Sequence, residues 1–399
     1  MSEIQNTPRL RFPEFHDVWR LKTLGDLGKI INGITYNPSQ IQEDGVLVLR
    51  SSNIQNGRLS FEDNVYIYIE KYNPVKKNDI LICVRNGSQR LIGKNALIYK
   101  NFDNMGFGAF MTVYRSERNP FLFQWFDTEK YYKEIHKNLG ATINSINGSD
   151  LKKFKVPLPS LPEQQKIADF LTAVDKRIEL LEKKKTLLET YKKGVMKKIF
   201  NQEIRFKDEN GKDFPDWEEK RLGILLKHIS SRNKSLNVEL VLSVSNTLGF
   251  ISQKEQFDKH RVASKDVSNY KIVRKNQFGY NPSRINVGSI ALLKDYEVGI
   301  VSPMYVIFQT KEKLDSTYME YLTQTHLFRH YVKVGCSGSV RDSLNFDEME
   351  KFKFNIPSLN EQIKISEFLI SIDNQLELLE TQIDKSKTWK KGLLQKMFV

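Results

Sequence analysis

Pro159-Ser160-Leu161-Pro162-Glu163-Gln164 is answered 198 residues later by Pro357-Ser358-Leu359-Asn360-Glu361-Gln362, and this recurrence decides how the rest of the chain is read. The displacement holds on both sides of the block. Upstream, Trp19, Leu24, Gly25 and Leu27 return as Trp217, Leu222, Gly223 and Leu225. Downstream, Ile167, Leu171, Asp175, Leu181, Lys192, Gly194 and Phe200 return as Ile365, Leu369, Asp373, Leu379, Lys390, Gly392 and Phe398. A register kept over that length marks an internal duplication, which constrains the fold more than any single motif. Between these blocks the match decays, so each half is a shared frame around a divergent middle.

The repeated blocks read as helices. Ser160 to Glu163 and Ser358 to Glu361 both spell Ser-x-x-Glu, which predicts a reciprocal cap: the serine hydroxyl and the glutamate carboxylate each satisfy an orphan backbone N–H. Pro162 suits a first turn, where its missing N–H costs nothing; Asn360 replaces it in the second copy. Beyond the caps, apolar residues step by threes and fours through Ile167, Leu171, Val174, Ile178, Leu181 and Leu188, and through Ile365, Leu369, Ile372, Leu376, Leu379 and Ile383. That spacing is a coiled-coil seam. The two helices are each other's obvious partners within the chain, the alternative being pairing with a second copy. A helix from about 162 to 200 is on the order of 60 Å long.

The expected organisation is therefore a domain over 1–158, a long helix over 159–203, a second domain over 204–356 and a second helix over 357–399. The divergent middles mix β-rich runs, such as Val46–Leu49, Val65–Ile69 and Ile80–Val84, with glycine and asparagine turns. Helical stretches are expected at Phe121–Asn138 and Ser316–Val332, with strands near Val298–Phe308. Each domain is α+β.

With 399 residues there is material for two cores. The net charge of +14, from 62 basic and 48 acidic side chains, points to a polyanionic partner. No stretch is long and apolar enough to span a membrane, so an anionic membrane surface ranks below nucleic acid. The two cysteines, Cys83 and Cys336, are too few for a disulfide framework or a zinc site, consistent with a cytoplasmic, reducing setting.

Two donor-rich loops carry the side chains that pair bidentately with base edges: Arg85, Asn86, Ser88, Gln89 and Arg90 in the first domain, Asn281, Ser283, Arg284 and Asn286 in the second. Lys94, Asn144 and Arg341 are further candidates for DNA contact, of the phosphate-binding kind. Both helices end alike, with Tyr191-Lys192 and Phe200 answered by Trp389-Lys390 and Phe398, either as dipole-complementing last turns or as a docking patch for another subunit. Catalytic signatures fail. Gly87 to Lys94 is one residue too long for a phosphate loop, with Asn95 where Ser or Thr is needed. His326 and His330 lack the glutamate and third ligand of a zinc site. Asp216, Glu218 and Glu219 sit too close in sequence for a metal nuclease. The Asn-Pro pairs at 37, 73 and 281 lack the second proline and aromatic of an adenine-gripping methyltransferase motif. No catalytic or metal-binding residue is expected; the alternatives are a stand-alone basic DNA-binding scaffold or a nuclease with an unrecognised site.

With these residues in view, the chain resembles the specificity subunits of type I restriction-modification enzymes. The resemblance rests on the Pro-Leu-Pro-Ser-Leu-Pro-Glu-Gln-Gln-Lys-Ile block at 157–167, its echo at 356–365 and the Phe-Pro leaders that end at Trp19 and Trp217. It implies two pseudo-symmetric target-recognition domains, each reading one half of a bipartite, asymmetric site in double-stranded DNA. It also implies that the helices form an antiparallel coiled coil that sets the spacer. Two methylation subunits and the restriction subunits would assemble around this chain. Adenine N6 methylation with S-adenosylmethionine, and cleavage driven by ATP with Mg, would belong to those partners, with no cofactor bound here.

Overall fold

The computed structural model describes residues 7–139, 144–253, 266–336 and 343–398. It divides into two compact units, Met1–Lys183 with Leu379–Val399, and Lys184–Leu378. Each unit thus holds one divergent domain and a part of each long helix, which run Leu161–Phe200 and Leu359–Met397. The helix starts are themselves 198 residues apart, so Asn360 supports the same start as Pro162.

In the first unit, an antiparallel pair, Arg20–Thr23 with Lys155–Leu158, brings the domain's entry and exit together directly before the helix. Inside lies an antiparallel sheet in the order Lys29–Asn32, Met111–Arg115, Ile80–Cys83, Asn95–Leu97. A second sheet, containing the fully buried run Val46–Leu49, packs apolar residues such as Leu47 and Leu49 against Leu81 and Val113. The second unit repeats the frame. Glu218–Arg221 pairs with Lys353–Ile356, again 198 residues on, and its sheet runs Leu226–Ile229, Val306–Thr310, Phe278–Tyr280, Ile290–Leu292 in the corresponding order. The divergent part differs: two two-stranded antiparallel pairs, Leu242–Ser245 with Gly249–Ser252 and Lys271–Arg274 with Val298–Val301, joined by a parallel bridge from Val241 to Ile300, stand where the first unit has its second sheet. The fold is α+β with the domain repeated twice.

Each expected domain helix is in fact two. Asn119–Trp125 is followed by Glu129–Lys137, and Ser316–Thr323 by His326–Cys336. A threonine causes the break in both. Thr128 accepts the Tyr131 N–H at 3.4 Å and donates to the Trp125 carbonyl at 2.7 Å, while Thr325 accepts from Phe328 at 3.2 Å and donates to Leu322 at 2.7 Å. Such a hydroxyl closes one helix and caps the next, a local competition that apolar periodicity does not register. The runs expected at Val65–Ile69 and Val298–Phe308 likewise resolve into Tyr66–Ile67 and into two strands, Val298–Val301 and Val306–Thr310.

The predicted reciprocal caps are corrected. Glu163 is fully buried, and its carboxylate receives Arg11 Nε and Nη2, each at 2.7 Å, and Trp19 Nε1 at 3.3 Å. Glu361, equally buried, receives Arg205 Nε at 3.2 Å and Nη2 at 2.9 Å, and Trp217 Nε1 at 3.0 Å. A bidentate guanidinium outcompetes a single backbone N–H for a buried carboxylate. The serine half of the box persists in the second copy, where Glu361 N–H reaches Ser358 Oγ at 3.4 Å. The leaders are realigned by the same contacts. Arg11-Phe12 corresponds to Arg205-Phe206, because Phe12 packs on Phe170 at 5.8 Å as Phe206 packs on Phe368 at 5.5 Å. Between arginine and tryptophan the second copy carries four more residues, spent on a small turn in which Lys207 bridges Asp213.

Candidate nucleic-acid interface

The two donor-rich loops leave equivalent strands, Ile80–Cys83 and Phe278–Tyr280, and share an asparagine-headed turn and a closing glycine at a displacement of 195. Ser88 N–H bonds Asn86 Oδ1 at 3.0 Å, and Ser283 N–H bonds Asn281 Oδ1 at 3.1 Å, the same asparagine-headed turn. A short helical turn follows in each, Gln89–Leu91 and Ile285–Val287, one residue later in the second loop. Each loop then closes through a glycine with positive φ, Gly93 at 85° and Gly288 at 99°, a conformation a side chain would strain. Both are pinned at the same carbonyl: Gly87 O accepts Asn144 Nδ2 at 3.0 Å, and Pro282 O accepts Leu344 N–H at 3.2 Å.

Aligned on the shared asparagine turn and glycine, the two loops present unlike side chains. Gln89 occupies the position of Arg284, Arg90 that of the buried Ile285, and Leu91 that of Asn286. Arg85, whose counterpart is the buried Tyr280, is exposed, with its guanidinium 5.8 Å from the centre of the exposed Phe110 ring. Gln89, Arg90, Arg284 and Asn286 are exposed. Asn86 and Lys94 instead converge on Ser51: Asn86 Nδ2 donates to its hydroxyl at 3.0 Å, and Lys94 Nζ to its carbonyl at 3.3 Å. Asn144 belongs to the same cluster through Gly87. These three therefore shape the first loop, as Asn281 and Ser283 shape the second, and the outward donors are Arg85, Gln89, Arg90, Arg284 and Asn286. Arg341 lies outside the described residues. Ser51 and Phe110, which complete the first loop, had no sequence signal beyond being a small polar and an aromatic residue in turns.

The helix-end residues separate by burial. Phe398 is 4% exposed, its ring 5.4 Å from Phe121 and 6.3 Å from Trp19. Phe200 stacks obliquely on Tyr318 at 5.4 Å. Lys390 binds Asp175 at 2.8 Å and Asp127 at 2.6 Å, and Lys192 binds Asp373 at 2.5 Å. Burial alone would lower the Lys390 pKa, but the two aspartates outweigh it and the net shift is upward. These four side chains are engaged inside their own units, whereas Tyr191 at 53% and Trp389 at 50% remain exposed. Among the described residues, no group of His, Cys, Asp and Glu could hold a metal ion, and no helix is long and apolar enough to cross a membrane.

The profile of the type I restriction modification DNA specificity domain matches residues 16–190 and again 215–386. The chain belongs to that family. It is a specificity subunit with two specificity domains, and the duplication traced above is the duplication of that domain. Among curated relatives, the specificity subunit of the type I enzyme StySPI from Salmonella potsdam is 23% identical over 94% of this chain and 87% of its own length. A specificity subunit assigned to the MjaX enzyme of Methanocaldococcus jannaschii is 25% identical over 96% of this chain and 94% of its own. The crystal structure of the type I S subunit from M. genitalium superposes with a TM-score of 0.61 at 16% identity, covering 98% of this chain and 99% of that one, which shows the shared fold.

Proposed function

We propose that this specificity subunit reads a bipartite, asymmetric site in double-stranded DNA, one domain per half-site, with Arg85, Gln89 and Arg90 reading on one side and Arg284 and Asn286 on the other. The observation that carries the reading is the loop pair: the same asparagine-headed turn and closing glycine, built twice, with a different set of base-pairing donors turned outward in each copy. Arginine, glutamine and asparagine are the side chains whose paired donors and acceptors distinguish guanine from adenine edges in the major groove. The excess of 62 basic over 48 acidic residues supplies the sequence-independent attraction on which such reading rests.

Two methylation subunits and the restriction subunits assemble around the chain in this reading, and they carry the chemistry: adenine N6 methylation with S-adenosylmethionine, and cleavage with ATP and Mg. The chain itself is non-catalytic and cytoplasmic. The test is a domain exchange. Residues 20–150 are replaced by the equivalent segment of another specificity subunit, and methylated adenines are mapped in DNA from cells expressing the complete system. One half-site should change and the other persist; a change in both halves, or in neither, contradicts the assignment. Sustained cleavage of plasmid by the pure chain with Mg would instead favour a stand-alone nuclease.

A further inference from the structure

Each unit contains a polar node where three elements meet, and the two nodes are built alike. In the first, Asp175 of the first long helix receives Lys390 from the second helix at 2.8 Å and Gln124 Nε2 from the domain at 3.2 Å. In the second, Asp373 of the second long helix receives Lys192 from the first helix at 2.5 Å and the Tyr321 hydroxyl from the domain at 2.7 Å. Gln124 and Tyr321 are equivalent, each standing four residues before the threonine that breaks its domain helix. The lysine and aspartate on either helix are 17 residues apart, 175 to 192 and 373 to 390, so one spacing serves both nodes.

The surroundings of the nodes are apolar. Leu171, Val174 and Ile178 are buried on the first helix beside Leu393 and Leu394, and Leu369 and Ile372 on the second beside Val195 and Ile199. Apolar contact is non-directional, so a seam of similar residues repeated every three or four positions tolerates a slide by one repeat. A buried polar group does not, because sliding strands it without a partner; polar residues in helix seams fix register for this reason, at a cost in stability. Here the same carboxylate also receives the domain, so the register it fixes is that of three bodies. The nodes differ in their second tie. Asp127 adds another carboxylate to Lys390 at 2.6 Å, whereas Lys192 lies 5.2 Å from the centre of the Tyr321 ring.

We infer that Gln124, Asp175 and Lys390, and in the second unit Tyr321, Asp373 and Lys192, are positioning residues that index each recognition domain on its own helix pair and thereby determine which separation between half-sites the subunit accepts. The inference rests on the bipartite reading proposed above. It assigns to side chains remote from the reading loops a share in specificity that no base contact supplies.

The experiment uses the full chain in complex with its methylation partner. The wild-type motif is mapped first, and the complex is then presented with plasmids carrying the same half-sites one or two base pairs closer together or farther apart. Methylation at each separation is counted by sequencing. Tyr321→Phe and Gln124→Met each remove one hydrogen bond to a carboxylate that is itself partly exposed, and keep the bulk of the side chain. Both variants are expected to keep the half-sites and to raise methylation at the nearest wrong separation, relative to the correct one, by about three- to fivefold, the equivalent of one hydrogen bond that water partly replaces. Lys390→Met should loosen the preference further. Ile178→Val, a core change outside the nodes, is the control for lost stability and should leave the ratios alone. Unchanged ratios in folded Tyr321→Phe and Gln124→Met, or an equal change in Ile178→Val, overturn the inference alone. A wild-type complex that marks no bipartite pattern overturns the functional reading together with it.

Discussion

Arg11→Met exposes the energetics of the leader. The guanidinium makes two bonds of 2.7 Å to Glu163, whose side chain is wholly inaccessible, so removing it leaves a carboxylate buried with only the Trp19 N–H at 3.3 Å. Breaking a buried pair from one side costs about 3–5 kcal/mol, because the remaining charge is uncompensated. In a unit of about two hundred residues each kcal/mol moves the midpoint by roughly 2–4 °C, giving an expected fall of about 6–20 °C. Thermal unfolding of the full chain, followed by circular dichroism, reads it. The double variant R11M/E163M is the decisive partner. With both charges replaced by apolar chains of similar length, only the Trp19 N–H is left unsatisfied, about 1–3 kcal/mol, so the double variant should be more stable than Arg11→Met. A single-variant loss below about 1 kcal/mol, or a double variant at least as unstable as the single, would refute the account of a buried carboxylate held by its arginine. Arg205→Met should behave similarly through Glu361.

Three further outcomes are expected. Arg284→Ala should relax discrimination at one base position of one half-site, costing about 1–3 kcal/mol there, while the other half-site is untouched; uniform weakening across sequences would make Arg284 a phosphate contact only. Inserting seven residues after Lys184 alone should lower the melting point, because the separation of 17 between Asp175 and Lys192 no longer matches that between Asp373 and Lys390. A matching insertion after Gln382 should recover stability and lengthen the accepted spacer by about 10 Å, roughly three base pairs, and an unchanged spacer in the matched variant would count against the helices as the measure of distance. Burial pushes the Cys83 thiol up to about 11, so the folded state holds the proton that the unfolded state releases near 9, and stability falls as pH rises through that interval. The part of the loss between about pH 9 and 10 should be smaller in Cys83→Val, whereas the loss above about pH 10, to which the buried Tyr114, Tyr131, Tyr280 and Tyr318 hydroxyls contribute, should persist; Cys83 should resist thiol reagents at pH 8 until the chain unfolds.

The duplication was legible because it is written in residues whose positions are fixed by covalent spacing: Trp19 and Trp217, Glu163 and Glu361, Asp175 and Asp373 keep one displacement. What those residues do was less legible, and for a physical reason. Glu163 reads as a cap because a capping box is a local contact, and local contacts are what short spacings describe. Its actual partner, Arg11, lies 152 residues away and is selected by burial, which no spacing encodes. The clue available was the recurrence of Arg-Phe at 11–12 and 205–206, displaced by 194 rather than 198 and so hidden from a search at one register. The donor-rich loops show the same effect. Their asparagine turns and closing glycines are displaced by 195, so Arg85 and Arg284 look like counterparts although these fixed points align Arg284 with Gln89. Changes in register between the blocks are the insertions and deletions that a surface loop tolerates and a helix seam does not. The frame keeps its spacing because nodes such as Lys390 with Asp175 penalise a slip, and the donor-rich loops are free to drift because an asparagine turn and a positive-φ glycine hold each one at its two ends whatever side chains lie between.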